Sequence, residues 1–331
     1  MKLTTPLIAA GLSTIAGAAF AQTPVLTVYT YDSFASDWGP GPQVELAFEE
    51  ICECDLQFTA TGDGAALLSR LRLEGSRSDA DIVLGLDTNL IAAADEAELM
   101  QPHGMDATGL TLPIEWDDAN FMPFDWGYFA FVHRQTLEDV PNSFEELAAS
   151  DVSIVIQDPR SSTPGLGLLM WVQHAYGDDR AAEIWEGLAD NVVTVTPGWS
   201  EAYGLFLDGE ADMVLSYTTS PAYHLIAEED DSYTAAPFTE GHYMQVEVGG
   251  ILATADNPEL AQQFMEFMVS PAFQEVIPTT NWMYPAALPE DALPDGFNTL
   301  IQPEQSLIFS STGAAEVRED ALATWQNALS Q

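Results

Sequence analysis

Residues 214–224 read VLSYTTSPAYH. An apolar pair ends in Ser216 and Tyr217; Thr218, Thr219 and Ser220 follow, and Pro221 leads to Tyr223 and His224. A strand end built only for stability has little use for so many polar groups. A ligand with flat faces and several hydrogen-bonding edges would use them. Aromatic rings present negative faces to a planar cation, at about 0.5–2 kcal/mol per contact. Hydroxyls and helix-start amides can fix polar edges.

Catalytic chemistry finds less support. The chain contains no G-x-S-x-G elbow, H-E-x-x-H or phosphate-binding loop. His103, His133, His174, His224 and His242 show no ligand spacing, and no adjacent tyrosine pair offers itself to ferric iron. No metal site or cofactor is expected.

The elements that would carry these groups alternate strand and helix. PVLTVYTY reads as a strand, QVELAFEEI as a helix and DLQFTAT as the next strand; Asp63 then stands at a helix start whose end is Gly75. ADIVLGL is a buried-type strand and TNLIAAADEAELM a helix. The second half repeats this pattern with SFEELAAS, SIVIQ, LGLLMWVQHAYG, VVTVT, DMVLSY and PAYHLIAEED. Asn257 and Pro258 open a further helix, and a terminal amphipathic helix covers roughly residues 315–329. Such alternation predicts an α/β fold with mostly parallel sheets flanked by helices. FDWGYFAFVH (124–133) and YMQVEVGGILA (243–253) break the pattern, and each reads as a strand crossing between two lobes. Lobe one then comprises 23–124 plus 254–331 and lobe two 125–253, with hinges near the two crossing strands.

Ligands of open parallel sheets bind beyond the carboxyl ends of the strands. Found there are Tyr31, Asp63 with Gly64, Arg160 to Thr163, Gly198 with Trp199, and Tyr217 to Ser220. Several have a plainer use. Asp63 can cap its own helix, and Ser162 and Thr163 before Pro164 can do the same. Trp199 at a Gly-Trp turn is harder to assign to structure alone.

Residues 1–21 carry one charge, Lys2, then small apolar residues ending Ala19-Phe20-Ala21. This reads as a secretory signal peptide cleaved after Ala21, in preference to a membrane anchor. The chain has 52 acidic and 8 basic residues; without Lys2 the balance is 7 minus 52, or −45. Nucleic acid and anionic membrane are poor partners for that surface. A salt-rich habitat accounts for the carboxylates better than ligand steering does. Cys52 and Cys54 form a C-x-C that can close as a disulfide in an oxidising compartment. On an extended strand their Cα atoms would lie near the upper limit for bridging, with strain.

Longer segments carry a resemblance. VYTYDSFASDWGPG, LGLDTNL, PFDWGYFAFV, QDPRSSTPGLGLL, GWSEAYGLFLDGEADMVLSYTTSPAYH, EGHYMQVEV and IPTTNWMYP closely resemble the thiamine-binding periplasmic proteins of bacterial ABC transporters, from about Val25 to Trp325. That family belongs to the type 2 periplasmic binding proteins, and the resemblance implies two α/β lobes closing on thiamine or its phosphate esters. Matched onto this sequence, the ligand-contacting segments hold Tyr31, Asp63, Gly64, Ser162, Thr163, Trp199, Tyr217, Thr218, Thr219 and Ser220; Tyr223 and Trp282 fall at aromatic positions near the same cleft. It also implies a periplasmic, monomeric binder, not an enzyme, that partners an inner-membrane permease and its ATPase. Two other ligand chemistries are weighed against it. A polyamine would want several carboxylates along a linear chain, and thiaminase-like cleavage would need a thiol in the cleft. The chain departs from its relatives in its acidity and in the glycine-rich GGILATADNPE, which leaves the stiffness of the second hinge open.

Overall fold

β-Branched residues and alternating burial make strand β1 (Val25–Thr30), whose inward side chains Leu26 and Val28 are fully buried. The structure, a computed structural model, describes residues 23–330; the leader read at 1–21 and its cleavage point lie outside the described residues. After β1 come α1 (Asp32–Ala35), α2 (Gly41–Cys52), β2 (Asp55–Ala60), α3 (Gly64–Glu74), β3 (Ile82–Asp87) and α4 (Ile91–Glu96). Strand β4 (Met100–Gln101) and the long β5 (Phe121–Arg134) lead into α5 (Phe144–Ala148), β6 (Ile154–Gln157) and α6 (Thr163–Leu188), which is broken at Gly177. Then follow β7 (Val192–Thr196), α7 (Trp199–Leu207), β8 (Met213–Tyr217), α8 (Pro221–Ala227), β9 (Tyr233–Ala235) and the second long strand, β10 (His242–Leu252). The chain closes with α9 (Pro258–Met268), α10 (Pro271–Gln274), α11 (Ile277–Thr280), β11 (Tyr284–Pro285), β12 (Ser306–Leu307) and α12 (Ser311–Leu329).

The strands run in the order β2-β1-β3-β10-β5-β8-β6-β7. β1, β2 and β3 are mutually parallel, as are β8, β6 and β7. Between these two parallel groups lie β10 and β5, antiparallel to each other and to the flanking β3 and β8. The first part of β5 pairs with β10 and its last part with β8 and β9, so one strand serves both lobes. This is a two-lobe α/β architecture, with β5 and β10 as its long central strands.

Three local readings change. The helix read over TNLIAAADEAELM stops at Glu96, because Glu98 turns to φ +52° and Met100–Gln101 pair with β10. The terminal helix begins at Ser311, where the Ser310 hydroxyl accepts from Gly313 N at 3.1 Å. Cys52 and Cys54 are bonded, but not along an extended strand. Glu53 between them takes φ +52° at the end of α2, which brings their Cα atoms to 5.1 Å, inside the usual range.

The centre of the sheet holds an unusual row of acids. Glu247 on β10 is the register partner of both Asp87 on β3 and Asp125 on β5, and all three are buried. Like charges placed directly opposite are destabilising. Beside Glu247 both ladders shift register, leaving Gly85 of β3 and Phe124 of β5 unpaired as bulge residues. Bulges bend strands and re-aim side chains next to sites. Gly85 lies at φ +105°, and a Cβ there would come within 2.2 Å of the Tyr31 ring. Gly249 and Gly250 of β10 serve close packing: a Cβ would lie 2.8 Å from Met268 Sδ at the first and 2.9 Å from Asn120 O at the second.

Gly85→Ala is therefore expected to cost about 2–4 kcal/mol of unfolding free energy, from the left-handed backbone and the collision with Tyr31. Urea denaturation measures it; an unchanged midpoint would show that the Tyr31 ring and the bulge do not depend on this glycine.

Candidate functional site

Beyond the strand ends, between the two lobes, lies a cavity of about 530 Å³, within the range of small-ligand sites. Tyr31, where β1 ends, and Asp63, before α3, enter from lobe one. Thr163 at the start of α6, Trp199 and Tyr203 on α7, and Tyr217, Ser220 and Tyr223 around the end of β8 enter from the other side. Asn281 and Trp282, after α11, close a third side.

Rings dominate the walls. Trp199 stacks on Tyr203 with centroids 5.0 Å apart, and Trp38 stands 6.3 Å from Trp199 at the rim, 55 % exposed. Tyr223 and Trp282 meet edge to face at 5.4 Å. Trp282 is held at φ +57°, a backbone region that bulky side chains rarely adopt. Behind the wall, the Tyr203 hydroxyl and His224 Nε2 are 2.9 Å apart, and Tyr223 donates to Glu228 at 2.9 Å. His224 Nδ1 lies 2.6 Å from the same glutamate, which joins both tyrosines to one support.

The hydroxyl-rich stretch divides its labour. Trp199 Nε1 donates to Ser216 Oγ at 2.8 Å, and Ser216 and Ser220 are linked at 2.7 Å, so these serines fix the indole. Tyr217 donates to Gln245 Oε1 at 2.8 Å and presents its ring to the cavity. Thr218 and Thr219 do not line it. Thr219 is buried against Met283 Sδ, whereas the turn after β8 points Thr218 into a separate cavity of about 290 Å³.

Gly64 and Ser162 also lie off the cavity wall, because they join the lobes. Asp63 Oδ2 accepts from Ser162 Oγ at 2.7 Å and from Trp199 N at 3.0 Å. Gly64 N donates to Thr163 Oγ1 at 3.1 Å, and Ala66 N to Ser161 O at 3.0 Å. Asp63 thus occupies the cap position of α3 without capping it; it satisfies an amide at the start of α7 across the cleft. A Cβ at position 64 would fall 2.6 Å from Thr163 Oγ1, so only glycine allows this approach. Arg160, found beyond a strand end in the sequence, is tied to Asp158 at 2.5–2.8 Å and is not part of the wall.

Several lining residues escaped the reading of strand ends: Trp38, Tyr203, Glu247, Asn281 and Met283. Tyr203 follows Trp199 by one helical turn, a spacing that could have found it. Glu247 is the one acid in a mostly apolar strand, which is itself a signal. Tyr31 donates to Glu247 Oε2 at 2.9 Å, and Asn281 Nδ2 lies 2.8 Å from the Tyr31 oxygen and 2.5 Å from Asp125 Oδ2. No lysine, arginine or histidine lines the cavity among the described residues. Nor do those residues contain a group of three histidines, cysteines or acids able to hold a metal ion.

Burial governs the ionisation of these groups. Loss of solvent raises Asp63 to about 6, outweighing the hydrogen bonds from Ser162 and Trp199. It raises Asp125 to about 7, and it raises Glu247 well above the carboxylate range, with the Asp125 charge adding to the effect. Tyr31 and Tyr217 are both pushed up, by burial first and by Glu247 second.

Residues 44–279 match the family described as "Bacterial extracellular solute-binding protein". The chain is 55 % identical over 311 residues to the thiamine-binding periplasmic protein of Escherichia coli (strain K12), covering 93 % of this chain and 94 % of that one. It is similar to a solved periplasmic thiamin binding protein, with a TM-score of 0.91 and 53 % identity over 97 % of this chain and 100 % of that one. A ferric binding protein from Campylobacter jejuni shares the fold at a TM-score of 0.75 and 19 % identity, covering 92 % of this chain and 99 % of that one.

The raised carboxyls set the sign of the pH dependence. Asp63 and the Asp125–Glu247 pair retain protons to higher pH in the folded state than when unfolded, so stability falls as pH rises from about 4 to about 7. Thermal melts at intervals across this range are expected to show a falling midpoint, with a shallower slope in Glu247→Gln. A midpoint that rises with pH would contradict the burial of these acids.

Proposed function

The chain belongs to the bacterial extracellular solute-binding proteins, among the thiamine-binding periplasmic proteins, and on that premise we propose that it captures thiamine between its lobes for import through an ABC permease and its ATPase. The observation that carries the reading is the cavity wall: aromatic rings and buried carboxyls, with no cationic side chain among the described residues. Thiamine is a planar aminopyrimidine joined to a permanently cationic thiazolium with a hydroxyethyl tail. Trp199, Tyr203, Tyr223 and Trp282 offer faces and edges to the two heterocycles. Glu247 and Asp63 offer negative charge, and Ser33, Thr163 and Ser200 offer hydroxyls to polar edges.

A polyamine would meet a wall richer in rings than in acids, so this alternative is not favoured. Thiamine cleavage would need a nucleophilic thiol. Both cysteines are joined in one disulfide between α2 and β2, and neither lines the cavity. With Arg160 paired to Asp158, no guanidinium faces the cavity, so the phosphate esters gain little over thiamine itself. The protein acts as a periplasmic monomer and needs no cofactor in this reading.

Calorimetric titration with thiamine, with spermidine as comparator, tests the reading. One-to-one thiamine binding that persists in high salt and exceeds spermidine binding is expected. Trp199→Ala and Tyr223→Ala are each expected to weaken it by about 1–2 kcal/mol, roughly five- to thirtyfold, while circular dichroism shows a folded protein. Unchanged affinity in both would remove the stacking roles, and no binding by the unaltered protein would remove thiamine as the ligand.

A further inference from the structure

Glu247 and Asp125 face each other as register partners on adjacent central strands. Glu247 lines the cavity at 5 % exposure, and Asp125 lies fully buried behind it. Their outer oxygens are anchored, Glu247 by the Tyr31 hydroxyl and Asp125 by the Asn281 amide. Asp125 Oδ1, at the strand position directly opposite Glu247, is buried without a hydrogen-bond partner. Ionised carboxylates only accept, so two of them placed opposite each other in a buried site favour holding a proton between them.

The surroundings offer no substitute for that proton. On β3, Asp87 is the other register partner of Glu247 and adds negative charge; Tyr31 from the end of β1 and Tyr217 from β8 are neutral hydroxyls held nearby. Asp63 also acts on Tyr217, as a further acid. Arg318 on α12 is the cation that acts on Asp87.

We propose that the Glu247–Asp125 pair selects a cationic ligand by proton exchange: the two carboxyls share one proton in the ligand-free cleft and release it when the cation enters. The inference rests on reading the cavity as a thiamine site. One proton leaves to solvent as one positive charge arrives, so the buried charge of the cleft is unchanged while Tyr31 and Asn281 keep the oxygens in place. A neutral molecule of the same shape cannot drive this exchange. Thiamine affinity consequently rises with pH, by up to about tenfold per unit while a full proton is released.

The experiment is calorimetric titration of the mature protein with thiamine in two buffers of different ionisation enthalpy, repeated between about pH 5.5 and 7.5. The expected result is release of about one proton per thiamine near pH 6.5, and a positive slope of affinity with pH. In Glu247→Gln and in Asp125→Asn, release falls toward zero and the slope flattens; either variant suffices if the other does not fold. Thiamine binding by the unaltered protein with equal heats in both buffers and no pH slope overturns the exchange but leaves the ligand reading intact. Absence of binding at every pH overturns the ligand reading, and the exchange falls with it.

Discussion

Three carboxyls in register across three central strands are the constraint on which the rest of the site depends. Asp87, Glu247 and Asp125 sit side by side in a region that excludes water, where an ionised acid without a partner is costly. Each therefore recruits a donor. Asp87 takes the backbone and side-chain amides of Asn89, Glu247 takes Tyr31, and Asp125 takes Asn281. These demands fix the end of β1 and the segment after α11. They also fix the entry of the Tyr31 ring, which the side-chain-free Gly85 allows to pass close to β3. The row is thus more than a source of negative charge for the cleft: it is the fixed point from which two of its walls are hung.

The remaining walls are held from the other lobe by a different device. Helix starts leave amides without intrahelical partners. Here α3 and α7 find theirs across the cleft, through Thr163 and Ser161 on one side and Asp63 on the other. The groups that bring the lobes together are consequently adjacent to those that face the cavity. Ser162 and Gly64 determine how closely Asp63 and Thr163 approach, although neither touches the open space. A family-conferred list of contact segments mixes these supporting residues with lining ones, because both occupy the same few turns.

Most of the fold was legible in the chain. Strand and helix alternation follows from local hydrophobic period and turn chemistry, and the two long, aromatic or β-branched segments with their glycines stood out because they do not fit simple strand–helix units. The ends of α4 and α12 were misjudged where a left-handed residue, Glu98, and a serine cap, Ser310, outweighed the apolar pattern. The C-x-C was read on the wrong backbone, since the left-handed Glu53 depends on how α2 meets β2.

By itself the sequence determined the α/β class, the two long strands, the acidic balance and the aromatic strand ends, because each is a property of residues near one another along the chain. Tyr31, Trp199, Tyr217 and Tyr223 could be nominated on that ground. Only the tertiary structure decided that Thr218 and Thr219 turn away, that Asp63 reaches across to α7, and that Glu247 meets Asp125 and Tyr31. Those facts depend on strand register and on two bulges between segments more than 100 residues apart in sequence, such as Tyr31 and Glu247 at a separation of 216. A one-residue change of register would send each side chain to the opposite face. No local pattern encodes that choice; packing of the whole sheet does.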